Sequence, residues 1–331
     1  MINAGIVGLG WWGSHILSTV QGKSDKLKFV SAVEPQFDET SEIIIKNDLE
    51  LQPDLDTLLK DANIDAVVLA TPHSLHEEQI CSAAAAGKHV FCEKPLALTK
   101  ESAQKSINMC EKAGVVLGVG HERRFEASMR EIKELISNGV LGEIMHVEAN
   151  FSHDMLSNLP PGSWRVSETE SPAAGMTATG IHLTDAYINM FGKIKEVYAA
   201  TALRNPANQN GDILSFHLKF ESGVTGYFNS VLETPLYIRF CLFGTKGWVE
   251  AKNYHHPSNP GPTYLSICKK PGEIEEKELD WEDSVLMNFE AFADACLGKQ
   301  EYPFSNEEKI QNIEVFEAIC LSARKGNVVV I

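Results

Sequence analysis

A chain of 331 residues is long enough for two domains and too long to be read as one core. Hydrophobic residues make up 44% and charged residues 22%, which excludes a disordered chain, and no run reaches the ~18 uninterrupted apolar residues of a membrane span. The formal net charge of −16 excludes nucleic acid or anionic lipid as the main partner, because binding phosphate needs clustered Lys and Arg.

Residues 3–8 read as a strand, followed by a Gly-rich turn and a helix to about Gln21. Residues 27–34 read as a second strand, and Pro53 precedes a helical stretch at 54–61, where proline suits a helix start. DAVVLAT, residues 65–71, is a continuous apolar run, the pattern of a strand buried on both faces. An Ala-rich helix over 75–87 closes at Gly87. A short strand covers 89–92, Thr99 caps a helix reaching Ala113, and 115–119 form a further strand. This alternation predicts an α/β fold with a doubly wound parallel sheet.

The rhythm changes after about Glu122. Residues 124–138 read as a helix ended by Gly139. Strands follow at 143–151, 196–203, 214–220, 224–231 and 237–243, with Gly223, Gly244 and Gly247 between or after them. Glu221-Ser222-Gly223 reads as a hairpin turn. Consecutive strands with such turns predict an α+β domain with a mainly antiparallel sheet. Asp185 reads as the start of a helix, where its charge would suit the helix dipole. EEKELDWED, residues 275–283, reads as an acidic, solvated segment, and helices around 285–297 and 307–325 complete the chain. The expected domains are 1–122 and 123–331.

Gly8, Gly10 and Gly13, in G-L-G-W-W-G, fall between the first strand and the first helix. Gly8 permits the tight turn, Gly10 lets the backbone approach a pyrophosphate, Gly13 allows close helix–strand packing, and the helix N-terminus attracts the negative charge. Glu34 ends the second strand, where an acidic residue accepts bonds from a ribose diol. A carboxylate there repels a 2′-phosphate, and EPQFDET supplies no Lys or Arg to neutralise it, so NAD is expected in preference to NADP. Trp12, within the Gly-rich turn, is expected to line the cofactor end. Glu93-Lys94-Pro95 follows a strand at the edge where open α/β sheets gather ligands. A lysine there, desolvated and beside a positively charged nicotinamide, would have its pKa lowered toward proton-transfer duty.

Over essentially its full length the chain resembles the glucose–fructose oxidoreductase / inositol 2-dehydrogenase / rhizopine-catabolism (Gfo/Idh/MocA) family. The resemblance lies in GIVGLGWWG, ATPHSLHEEQICSAAAAGKHVFCEKPLA, GHERRFEASMREIKELISNGVLGEI, SWR, TGIHLTD, GTKGWVE and EYPFSNEEKIQNIEVFEAICLSARKG. It implies a Rossmann first domain, with the second domain serving substrate binding and oligomerisation. It also implies that Lys94 is a catalytic acid/base working with His182, with Asp185 closing the D-x-G-x-H-x-x-D segment. Thr71-Pro72-His73-Ser74-Leu75-His76 corresponds to a Thr-Pro-Asn-x-x-His turn that touches the cofactor ribose. Glu93, Glu122 and the Trp164-Arg165 pair fall toward the nicotinamide half of the cofactor, and Arg124 matches an arginine lining the substrate cleft. Three positions depart from the pattern. Ala178 replaces an acidic residue four before His182, His73 replaces Asn, and Glu122 stands where many relatives carry Asn or Gln.

The implied function is NAD(P)-dependent oxidoreduction of a secondary alcohol or carbonyl on a sugar, cyclitol or related cyclic diol. Two alternatives are an NAD-assisted elimination or glycoside cleavage without net redox change, and a ligand-sensing protein of the same fold. Relatives commonly form dimers or tetramers through the open face of the second sheet, so a homo-oligomer is expected, on the reading that this face is apolar and needs cover. His73 and His76 have no third or fourth partner at metal-ligand spacing, and no metal is expected. The seven scattered cysteines lack a C-x-x-C pair and read as buried or half-buried thiols. MINAGIVGLG lacks a basic start, so no signal peptide and a cytoplasmic location are expected.

Overall fold

The computed structural model describes residues 1–331 apart from Gln36, Asn158, Pro161 and 207–209, with the side chains of 37–41 also outside the description. EPQFDET after Glu34 runs into these residues, so the reading placed on it lies outside what is described. The chain forms two compact units, Met1–Glu122 with Val285–Ile310, and Arg123–Ser284 with Gln311–Ile331.

The first unit alternates β1 (Ile2–Val7), α1 (Trp11–Val20), β2 (Leu27–Val33), α2 (Phe37–Lys46), β3 (Glu50–Gln52), α3 (Leu55–Lys60), β4 (Ala66–Leu69), α4 (His76–Ala85), β5 (His89–Cys92), α5 (Lys100–Ala113) and β6 (Leu117–Val119). Its six strands pair in parallel in the order β3-β2-β1-β4-β5-β6. Every residue of β4 is buried, as its unbroken apolar run requires. Short polar side chains cap the helices: Asp54 accepts from the Thr57 N–H and Thr99 from that of Ser102. The order reverses between β1 and β4. All loops leaving the carboxyl ends of the strands therefore open along one edge, with the crevice at that switch point.

The second unit contains α6 (Ala127–Ser137), β7 (Ile144–Ser152), α7 (Gly180–Phe191), β8 (Ile194–Ala202), β9 (Ile213–Phe220), β10 (Thr225–Val231), β11 (Tyr237–Gly244), β12 (Gly247–Asn253), β13 (Thr263–Lys270) and β14 (Glu273–Leu279). They build a nine-stranded sheet, β14-β13-β12-β11-β7-β10-β9-β8 plus a final strand at Val329–Val330. All pairs are antiparallel except β7 with β10. Leu214, Phe216, Leu218, Val147, Ala149, Phe240 and Leu242 alternate onto a buried face. The other face is not the apolar surface expected. Arg239 pairs there with Glu148 and Glu250, Lys252 pairs with Glu250, and the His217 and Tyr227 rings meet at a tilt, 4.9 Å apart.

One local expectation gains a strand and another needs correction. The acidic stretch at 275–283 has no buried residue, as a solvated segment should, but it begins inside β14, whose pairing with β13 its alternating charges conceal; Lys277 bonds Glu131 of α6. Asp185 lies in the middle of α7 rather than at its start, because the helix begins at Gly180 and not after His182.

The expected second domain, running unbroken from 123 to 331, also differs from the structure. Val285–Ile310, which includes all of helix α8 (Ser284–Cys296) after its first residue, belongs to the first unit, and the last helix, α9 (Asn306–Lys325), continues into the second. Phe289 stacks on Phe91 at 4.1 Å and Phe292 meets the same ring edge-on at 5.4 Å. Each fully buried ring contributes roughly 1.5–3 kcal/mol. Gly118 makes this possible, since a Cβ there would lie 2.7 Å from both Phe292 and Phe91. The segment also satisfies the edge of β6. Tyr302 Oη accepts from the Val119 N–H at 3.1 Å, Asn288 Nδ2 donates to Val119 O at 3.0 Å, and the buried Lys309 amine donates to Leu117 O at 2.8 Å.

Candidate active site

In the first unit the chemistry-bearing residues follow the carboxyl ends of five parallel strands. After β1 comes the glycine turn. Gly8 adopts φ +92°, and a Cβ there would sit 2.8 Å from Ala70 O. A Cβ on Gly13 would lie 2.0 Å from Gly8 O, so helix α1 can rest on the turn only without one. Gly10 faces open space, with nothing within 4 Å of an added Cβ. No side chain caps α1 and its first turn holds no acidic residue. Its first N–H groups therefore suit an anion, and this cradle fits the pyrophosphate of a dinucleotide. After β2, Glu34 Oε2 accepts from the Leu9 N–H at 2.6 Å, which pins the turn to the next strand. Trp12 is half-buried, packs against the apolar core and stacks on His15 at 4.9 Å.

After β4, Thr71 Oγ1 donates to Gln79 Oε1 at 2.6 Å, and Pro72 leads into a single 3-10 turn, His73–Leu75. His73 is buried and meets the His76 ring edge-on at 5.8 Å. His76, expected to touch the cofactor, is 0% exposed and has each ring nitrogen against a backbone carbonyl, Nδ1 2.9 Å from Pro95 O and Nε2 3.1 Å from Thr71 O. Its ring holds the turn rather than reaching a ligand.

After β5 come Glu93, Lys94 and Pro95, with a cis Lys94–Pro95 peptide. The Lys94 N–H donates to Glu93 Oε2 at 3.2 Å. The neighbouring Cys92 thiol donates to Glu93 O at 3.2 Å, and burial, then the Glu93 charge, push its pKa well up, so it stays a thiol. After β6, Gly120, His121 and Glu122 are all buried.

In the second unit, Arg124 and Asp185 form a bidentate pair, Nε to Oδ2 at 2.7 Å and Nη2 to Oδ1 at 2.6 Å, with both side chains almost fully buried. Both oxygens of Asp185, expected to meet substrate, are thus engaged by Arg124. His182 lies three residues before Asp185 on α7, hence on the same face, and is 5% exposed. The start of that helix is fixed to the sheet: Thr179 Oγ1 donates to Gly175 O at 2.8 Å and lies 3.0 Å from Ser230 Oγ on β10. Ala178 precedes it with no carboxylate to offer. The Arg165 guanidinium lies over the Trp164 ring at 4.3 Å, in a 3-10 turn.

Sequence reasoning passed over Gln79, Gly120, Asn288 and Tyr302. Gln79, Gly120 and Tyr302 lie within stretches that carry the resemblance, but nothing in the sequence marked Asn288. Among the described residues no cluster of three or more His, Cys, Asp or Glu could hold a metal ion, and no helix is long and apolar enough to cross a membrane.

Residues 2–121 match the model of an oxidoreductase family with an NAD-binding Rossmann fold, GFO_IDH_MocA, and residues 129–250 match the C-terminal domain model of the same family. The 2,7-anhydro-N-acetylneuraminate hydratase of Escherichia coli (strain K12) is 31% identical over 261 residues, covering 76% of this chain and 67% of that protein. The 1,5-anhydro-D-fructose reductase of Ensifer adhaerens is 28% identical over 279 residues, covering 82% of this chain and 81% of that protein. Among solved structures, a levoglucosan dehydrogenase in complex with NADH shares the fold at a TM-score of 0.85 and 20% identity, over 100% of this chain and 98% of that one.

Proposed function

Because the chain belongs to the Gfo/Idh/MocA oxidoreductase family, we propose that it transfers a hydride between NAD and a secondary alcohol or carbonyl of a sugar, cyclitol or related cyclic diol. One observation carries the reading: Gly8, Glu34, Thr71, Lys94 and Glu122 all follow the carboxyl ends of strands in one parallel sheet, on the edge where such sheets take a dinucleotide.

The glycine turn and the N-terminus of α1 would hold the pyrophosphate, and Glu34 the adenosine ribose. Bound NAD supplies the hydride acceptor at its nicotinamide carbon. Lys94 takes the proton of the substrate hydroxyl as the carbon–hydrogen bond breaks, and the oxygen keeps the electron pair that becomes the carbonyl. His182 donates a hydrogen bond to that hydroxyl or its neighbour, orienting it. In reduction the same groups return the proton. Arg124, oriented by its pair with Asp185, would contact a substrate oxygen, as the resemblance implies.

A second reading is a hydration or elimination in which NAD is reduced and reoxidised within one turnover. One observation favours it: a relative is named as a hydratase of an anhydro sugar acid. Incubation with NAD and a panel of polyols and anhydro sugars separates the two. Net gain of reduced-nicotinamide absorbance supports the dehydrogenase, and product without net absorbance change supports the second reading. Cofactor binding without any product would reject both.

A further inference from the structure

The His76 ring joins two turns of the first unit, the one after β4 through Thr71 O and the one after β5 through Pro95 O, the residue following Lys94. Both partners are backbone carbonyls, which only accept. A neutral imidazole carries one N–H, so either tautomer would set a nitrogen lone pair against an oxygen lone pair at 2.9 or 3.1 Å in a fully buried place. Only a ring with hydrogen on both nitrogens satisfies both contacts.

We propose that His76 is an imidazolium in the folded enzyme, and that this buried cation is a positioning residue that fixes the turn carrying Lys94. The proposal rests on the reading of Lys94 as the acid/base. The surroundings act both ways. The start of α4 and the nearby Lys94 segment disfavour a positive charge, while Glu77 and Glu78 in the first turn of α4, and Glu93 beside Lys94, favour it. The His73 ring packs against it edge-on. Two charge-assisted bonds to carbonyls tip the balance, because each is stronger than its neutral counterpart in a dry site.

The same charge also bears on Lys94. A like charge in the adjoining turn favours the neutral amine that alcohol oxidation needs, so its removal should move the rise of kcat with pH to higher pH.

The first test is a nitrogen–proton correlation spectrum of the imidazole rings of the full-length labelled enzyme at about pH 8, where an ordinary histidine (~6.5) is neutral. The expected result is one ring, lost in H76Q, with two slowly exchanging N–H protons. A His76 ring with a single N–H would overturn the proposal whatever the enzyme's substrate. The second test is kinetic. H76Q is expected to lower kcat by ~10–10²-fold with NAD affinity within about threefold, and to shift the pH profile upward. Unchanged kcat, or an unmoved profile, would overturn the positioning role. Full turnover in K94M would instead sink the acid/base reading, leaving the spectroscopic result standing.

Discussion

The Glu93 carboxylate lies directly over Gly120: a Cβ on that glycine would come within 2.6 Å of Oε1, Oε2 and the carboxyl carbon alike. Adjacent strands β5 and β6 thus place a buried acid where any other residue would displace it. Gly120→Ala is expected to cost about 1–3 kcal/mol of stability by overpacking, and to lower kcat/KM by up to ~10²-fold by moving the segment that carries Lys94. Urea unfolding and steady-state kinetics on one preparation check both.

Lys94→Met is expected to lower turnover by ~10²–10⁴-fold while NAD binding, followed by fluorescence titration, stays near wild type. The methionine keeps an unbranched side chain out to the ε position and removes the amine, with its charge and its proton.

The Arg124–Asp185 pair has both oxygens and two nitrogens matched in a buried place. Asp185→Asn leaves a buried guanidinium short of its counter-charge and is expected to cost about 3–5 kcal/mol in denaturant unfolding. The double replacement Arg124→Met with Asp185→Leu should recover most of that stability, and none of the activity.

Ala173 and Ala174 stand in the left-handed region, at φ 59° and 53°, just before α7. That conformation costs a non-glycine residue roughly 1–2 kcal/mol, part of which glycine returns through a floppier unfolded chain. Ala173→Gly is therefore expected to raise stability slightly, by up to about 1 kcal/mol, in thermal unfolding.

Burial pushes the thiols of Cys110, Cys241 and Cys320 up to about 12. In the unfolded chain they ionise near pH ~8.5, so folding binds their protons more tightly. Their contribution is fully present below that pH and is lost as the pH rises toward about 12. Stability measured by denaturant unfolding should fall across this alkaline window. At about pH 8, iodoacetamide should spare these three cysteines in the folded chain and label them in urea.

Much of the first unit was legible because its signals are local. The glycine turn, the apolar run of β4, the Thr99 cap and the placement of Glu34 and Lys94 at strand ends each depend on a few consecutive residues. Strands β12, β13 and β14 were passed over because edge and near-edge strands carry charge on their open face, and alternating charge reads as solvated loop. The polar outer face of the large sheet escaped notice for a related reason: which residues share that face depends on register among strands far apart in sequence.

The sequence by itself determined the parallel sheet and the dinucleotide turn, since backbone preference and hydrophobic period act over a few residues, while the family resemblance named Lys94 and His182 as acid/base candidates. Only the tertiary structure decided that Val285–Ile310 closes the edge of β6, that Asp185 is engaged by Arg124, and that His76 spans two carbonyls. Those pairings join segments from 5 to 192 residues apart. Which partner wins there depends on packing and on the need of buried polar groups for a bond, neither of which is written in any one stretch of the chain.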